Sequence, residues 1–592
     1  MIRLLRILAV GFFSLITIAL SARTTITVSN QGEFDKVQEK LEKAVLAGNN
    51  NICIVIRNGR YIATEGHIKL KDIQNPRLKL RIKGQGSVTI VPDGKWYKDG
   101  DDYDGPFFYD NSWISAGRDI ENWTHVKYAV GQVEVVNENS KLCRLKSKEH
   151  LSNKAKLTNA YILIPCWFRA WVYKVEKIEN DYIYFTADNL SKNYNNKYYN
   201  VNNDWNYGKA ELRYKICNVD LGEGQLRVTD GKVKLPKGVG NVWEGISSNF
   251  ISVNDCRICS LEISKLLFEG FVSKENSSLI KIRNVISKSV LLKHCTFKGV
   301  REDVIAVYST ANVCISNCQF GDCYYRGFFS DNQSKNTVVE NNTFFNMGKR
   351  MYSSCCITCQ GENYLISNNT LTDFGYGGIR VGVWYGDKQI CPCYGIVENN
   401  YLLYSNGYLA DIMNRGLMDS GAIYVCTKND KAVIRNNTIN NFSGAKDNRG
   451  IFCDDGAYNL EIYGNLITGT ANCYSIDARR VNWVEMTITP QSGIERANLN
   501  NHIHNNVVDK AIRFEGHEDA DNGCVMGENF YLTKDNQKIS SQCSNIMSKS
   551  DDVLVNYSNT VDNKILVGVD EYRKLSKSQS WRYLKSQIVS KR

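Results

Sequence analysis

The sequence predicts an all-β solenoid in which short strands stack coil upon coil. Three observations point to it: an aliphatic-x-Asn-Asn-x-aliphatic phrase that keeps returning, a second strand that returns between its copies, and a composition suited to tight turns. The phrase stands at 339–344 (VENNTF), 366–371 (ISNNTL), 397–402 (VENNYL), 434–439 (IRNNTI) and 503–508 (IHNNVV). IYGNLI at 462–467 fits with Gly464 in the first Asn slot, and LKHCTF at 292–297 and ISNCQF at 315–320 carry Cys in the second. One column therefore reads Cys295, Cys318, Asn342, Asn369, Asn400, Asn437, Asn465 and Asn506, in steps of 23, 24, 27, 31, 37, 28 and 41 residues. A floor near 23 with longer excursions is the signature of a repeat whose insertions fall at the corners of its coils. Only 7 Pro against 44 Gly and 33 Tyr, with Asn prominent, suits strands joined by turns that need left-handed backbone.

The elements follow in order. Residues 1–22 carry Arg3 and Arg6, an apolar run from Ile7 to Leu20, and small Ser21 and Ala22, the pattern of a secretory signal cleaved after Ala22. The run is short for a membrane span and no later segment is longer, so the remainder is expected to be exported without a transmembrane segment: periplasmic, cell-surface or extracellular. No Cys at the cleavage point offers a lipid attachment site. Removing the two arginines takes the formal charge from +11 to +9, a solvated basic surface with a mild lean toward anionic ligands.

Residues 23–92 open with TTITVS, followed by a helix with Phe34, Val37, Leu41 and Ala44 on one face, expected to cover the open end of the stack. ICIVIRNGRYIA at 52–63 and LRIKGQGSVTIVP at 80–92 read as first strands. Residues 93–245 break the pattern and are expected to form an inserted β-rich domain, with alternating strands such as 174–187. The stack resumes over 246–515, and 516–592, with Leu575, Trp581, Leu584 and Ile588 at helical spacing, is expected to cap the far end.

Twenty cysteines in an exported chain suggest a disulfide framework, yet Cys295 and Cys318 stand in the Asn column, with Cys256 of VNDCRI expected to precede them there. Cys314, Cys355, Cys453 and Cys473 fall in strand-like runs, so most are read as small core residues. CPC at 391–393 lacks a second pair at metal spacing, and no metal or cofactor is expected. No phosphate loop, nucleotide motif or nucleic-acid module is visible, so nucleic acid is not expected as a partner.

The second recurring strand is GGIRVG at 377–382, GAIYVC at 421–426, RGIFCD at 449–454, YSIDAR at 474–479 and KAIRFE at 510–515. Aligning Ile379, Ile423, Ile451, Ile476 and Ile512 in the core turns Arg380, Tyr424, Phe452, Asp477 and Arg513 outward, because strand side chains alternate faces. Two residues on, Gly382, Cys426, Asp454, Arg479 and Glu515 form a second outward column. A polar groove of both signs is expected there. Asp419 precedes one strand (MDSGAIY) and Asp454 and Asp455 follow the next (IFCDDGAYN); adjacent coils are expected to bring them within working distance. Two carboxyls across a glycosidic bond are what its hydrolysis needs, one to protonate the leaving oxygen and one to attack or to activate water.

The order of cap helix, G-x-Y turn and I-x-G-x-G resembles the start of right-handed parallel β-helices of the pectate-lyase superfamily. D-S-G-A-I-Y followed by G-I-F-x-D-D-G-x-x-N and then Y-G-N resembles the β-helical glycoside hydrolases of the α-L-fucosidase and xylanase family, over roughly 24–92 and 246–515. That resemblance implies a secreted enzyme acting on a polysaccharide or oligosaccharide, with Asp419 and one of Asp454 or Asp455, Asp454 preferred, as the carboxyl pair. Arg380, Tyr424, Asp477, Arg479, Arg513 and Glu515 are then the substrate-binding candidates. Two rivals use the same face. A lyase on uronate polymers would take Arg380, Arg479 or Arg513 as base, with Ca²⁺ on Asp454, Asp455 and Asp477. A non-catalytic glycan binder would stack sugars on exposed Tyr376, Trp384, Tyr385 and Tyr394. His502 and His504 of NHIHNN are read as ladder-adjacent surface residues.

Overall fold

The computed structural model describes residues 23–92 apart from 65, the paired strands between 94 and 245, and 249–531 apart from several segments, the longest being 272–277, 349–354, 384–392, 404–419, 441–447, 479–500 and 515–524. The expected leader at 1–22 and the C-terminal helical pattern lie outside the described residues.

The chain forms a parallel β-helix with three faces. The first is an 11-stranded sheet running from Ile68–Lys71 and Ile251–Asn254 through Gly377–Val381, Ser420–Val425, Asn448–Cys453 and Tyr474–Ala478 to Ala511–Phe514, every neighbour parallel and in chain order. The second and third faces make up the 23-stranded sheet, to which each later coil contributes one strand per face, such as Ala311–Ser316 and Gln319–Gly321. In the first coils the long strands Asn51–Ala63 and Gln74–Pro92 run through both faces.

The Asn-Asn phrase makes the corner between the second and third faces, and its two residues do different work. The first adopts left-handed backbone, with φ near 55° at Asn341, Asn368, Asn399 and Asn436, and Gly464 fills the same slot. Asn tolerates that region better than most residues. The second is buried and forms a ladder along the stack. Asn400 receives Asn369 N–H and Nδ2 on its Oδ1 (3.0 and 2.9 Å) and donates its own Nδ2 to Asn437 Oδ1 and Ile366 O (3.0 and 2.9 Å). The pattern repeats from Asn342 to Asn506 and ends on Asn529, one coil beyond the last copy of the phrase. Strands Val525–Met526 and Phe530–Tyr531 carry the stack past 515 to Tyr531. Cys318 holds the lower end, its backbone N–H donating to Asn342 Oδ1. Cys256 does not belong to this column. It follows left-handed Asp255 at the corner between the first and second faces, because strand Ile251–Asn254 lies on the first face.

Inside the coil, side chains stack in register: Phe268, Phe297, Phe320 and Phe344 lie ring on ring at 5.3, 4.9 and 4.5 Å. Burial of such a side chain contributes about 1.5–3 kcal/mol. The N-terminal end is closed by helices α1 (Gln31–Asp35) and α2 (Val37–Leu46), which bury Phe34, Val37, Leu41 and Ala44 as their spacing predicts. Asn30 caps α1 by accepting Glu33 N–H at 2.9 Å, and Glu33 accepts Ser29 N–H at 2.7 Å, satisfying donors the helix start would leave unpaired. Between Gly94 and Gly245 the described strands pair only with one another, in three antiparallel sheets.

The 14 described cysteines are free thiols, twelve of them buried, so they pack as small apolar residues. Cys391 and Cys473 lie outside the described residues.

Candidate active site

The first sheet positions the candidate residues. Its register pairs Ile379, Ile423, Ile451, Ile476 and Ile512 in one inward column. Arg380, Tyr424, Phe452, Asp477 and Arg513 therefore share the next column, one coil apart, at about 4.8 Å per coil. The second column continues through backbone bonds beyond the strand ends: Gly382 N–H to Cys359 O, Cys426 N–H to Val381 O and Asp454 N–H to Val425 O (3.1, 2.8 and 2.9 Å).

The centre of this face is a Tyr-Asp pair. Tyr424 donates its hydroxyl to Asp454 Oδ2 at 2.5 Å, from the coil below. Phe452 packs edge-on against the Tyr424 ring at 5.2 Å, Tyr376 lies 5.8 Å away, and the Arg449 guanidinium sits 4.1 Å over Phe452. These groups are covered rather than wet: Asp454 is 5% and Tyr424 4% exposed, and Phe452, Cys426 and Tyr376 are buried. The expected open polar groove is thus corrected to a buried Tyr-Asp pair, and Tyr376 is not an exposed stacking platform. Alternation fixed the side of the sheet; burial depends on neighbours that periodicity does not reveal.

Arg380 is partly buried, with Nε 3.1 Å from Cys426 Sγ and the guanidinium 6.0 Å from the Tyr424 ring. Burial pushes the nearby Cys355 thiol up to about 12, so it stays protonated at neutral pH and is a poor nucleophile.

Lower on the same face the structure brings together a cluster that no sequence motif marked. Asp303 and Arg326 form a two-pronged ion pair, Nε to Oδ1 and Nη2 to Oδ2, both 2.7 Å. The guanidinium stacks over Phe329 and Tyr325 at 4.1 and 4.6 Å. Burial raises the Asp303 carboxyl, and Arg326 opposes the shift. The pair's 23-residue separation equals the step from Cys295 to Cys318, so coil phase could have found it.

Asp419, Asp455, Arg479 and Glu515 lie outside the described residues; for Asp477 and Arg513 only the backbone register is described. Ser420 begins its strand, whereas Asp454 lies level with Cys426 on the next coil. Six residues at about 3.3 Å each separate those levels by about 20 Å. The parallel register thus holds Ser420, the neighbour of Asp419, at the far end of the strand from Asp454. Asp477 pairs with Phe452, one coil on and two residues short of the Asp454 level, which sets the two α-carbons about 8 Å apart. His502 and His504 lie on the second face, both against Glu461, away from this site.

A family model described as a right-handed β-helix region matches residues 237–393. The stack is a right-handed parallel β-helix. A solved structure described as a glycoside hydrolase is similar over 88% of this chain and 100% of its own, with a TM-score of 0.53 at 10% identity, a likeness of fold. The complex of XylC with xylose (9% identity, 82% and 83% covered, TM-score 0.34) and the catalytic domain of a GH87 α-1,3-glucanase with nigerose (8%, 74% and 89%, 0.26) are more distant. No curated protein has a matching sequence.

Proposed function

We propose that the chain is a glycoside hydrolase that binds a polysaccharide or oligosaccharide across the outer face of the first sheet, with Asp454 as one of its two carboxyls. The observation that carries this reading is the Tyr424–Asp454 pair, a carboxyl held by a hydroxyl within an aromatic wall on one coil-aligned face. Aromatic faces and oriented hydrogen-bonding groups are what a sugar ring needs, and the structurally similar glycoside hydrolase shares the fold that aligns them. For the second carboxyl, register favours Asp477. A spacing of about 8 Å between the Asp454 and Asp477 α-carbons suits carboxyls that work about 5–9.5 Å apart. Asp455, next to Asp454, and Asp419 are the remaining candidates. Arg380 and Arg513 stand in the same register column as Tyr424 and Asp477, and with Arg479 and Glu515 they are assigned to substrate binding. The enzyme is proposed to act outside the cytoplasm, as its N-terminal sequence suggests.

The test is product analysis of the purified chain on a glycan panel, beside Asp454→Asn, Asp477→Asn, Asp455→Asn and Asp419→Asn. Cleavage is expected to fall at least a thousandfold in Asp454→Asn and Asp477→Asn, and an equal loss in Asp419→Asn or Asp455→Asn instead of Asp477→Asn would name that residue as the second carboxyl. Full activity in a folded Asp454→Asn variant would move the site elsewhere.

A further inference from the structure

Among the described side chains of the first sheet's outer face the charges do not balance. Its described carboxylates are engaged: Asp303 by Arg326, Asp331 by Ser309 N–H and the Ser334 hydroxyl, and Asp454 by Tyr424. Arg380, Lys281 and Arg283 are among the cations of the same face that have no carboxylate partner among the described residues. Arg380 contacts a thiol and a ring; Lys281 lies 5.8 Å over the Tyr308 ring; Arg283, in register with Tyr308, is exposed. Lys281 stands in the same outward column as Arg380, four coils below it, about 19 Å away. A guanidinium stays charged at any working pH, and partial burial without a counter-ion is costly, so Arg380 gains most from an anion that enters with the ligand.

We propose that this face takes an acidic glycan, with the Arg380 guanidinium holding a carboxylate or sulfate of the sugar beside Tyr424 and Asp454, and Lys281 and Arg283 drawing the chain along the lower coils. The inference rests on the assignment of this face as the sugar site. It adds a substrate class: the planar fork of Arg380 can grip a carboxylate or sulfate with two parallel N–H donors, which a neutral sugar cannot match. The lower cations act at longer range and are screened by salt.

The test uses the full chain carrying Asp454→Asn, so that nothing is consumed, in affinity electrophoresis through polygalacturonate, carrageenan and carboxyl-reduced polygalacturonate. Retardation by an anionic polymer is expected, weakening as salt is raised, with none from the neutral polymer. Polygalacturonate alone identifies a carboxylate ligand and carrageenan alone a sulfate. Adding Arg380→Gln is expected to weaken retardation at least tenfold, and Arg380→Lys to restore part of it. Lys281→Gln is expected to weaken it about threefold. Equal retardation by the neutral polymer, unchanged affinity in Arg380→Gln and Lys281→Gln, or no retardation by any polymer overturns the proposal. Should the anionic pattern hold while the unsubstituted chain leaves every glycan of the panel uncut, the hydrolase assignment fails and the anion site stands.

Discussion

Replacing Asn400 by alanine measures what the ladder contributes to the stack. The substitution removes four hydrogen bonds of 2.9–3.0 Å and leaves the buried Asn369 N–H without its acceptor. At about 1 kcal/mol net for each bond, with an added penalty for the stranded donor, the loss should be about 3–5 kcal/mol. That is a large share of the roughly 5–15 kcal/mol that holds a typical domain folded. The neighbouring Asn399 supplies the control, since its task is only a left-handed turn at φ 55°, which glycine performs equally well. Asn399→Gly should change stability by about 0.5 kcal/mol or less. Urea unfolding followed by circular dichroism gives the stabilities, and hydrogen exchange of the peptide spanning 366–371 reports the local loss. If Asn400→Ala costs no more than Asn399→Gly, the ladder is ornament and the reasoning fails.

Other consequences are open to measurement. Cys318→Asn should extend the ladder by one rung, letting an Nδ2 donate to Asn342 Oδ1 where a thiol now stands, and should raise stability by about 1 kcal/mol in the same urea assay. Tyr424→Phe keeps the ring contacts but removes the donor to Asp454, and kcat should fall about tenfold or more with folding intact. His67 is buried under Phe34, and burial lowers its pKa although its ring nitrogen contacts Phe34 O at 2.9 Å. The unfolded chain therefore takes up a proton as pH falls below about 6.5 while the folded cap does not, so the cap loses stability on acidification and keeps it above that pH. Protection factors of the α1 and α2 amides, corrected for intrinsic exchange, should fall from pH 7.5 to pH 5, and His67→Gln should flatten that dependence.

Much of the architecture was legible because a solenoid turns sequence period into spatial register. The Asn column, the Ile column and the apolar face of the cap helices each repeat at a spacing that only one geometry satisfies. Legibility ended where a repeat lost its chemical mark. Asn529 carries no Asn-Asn mark because Glu528 precedes it in the sequence, and Cys256 is no member of the column because a turn at one corner reads like a turn at another. Asp303 and Arg326 form no motif at all, being joined only by coil phase.

The chain alone determined that strands would coil, which residues would face the core and which side of the first sheet would carry Arg380, Tyr424 and Asp454, because alternation and period are local properties. The tertiary structure decided distances along the strand and access to water. Parallel register set Asp454 about 20 Å beyond the level of Ser420 and about 8 Å from Asp477, and rings from the two neighbouring coils packed against Tyr424. Such quantities depend on which residues of different coils lie side by side, and no single repeat carries that information.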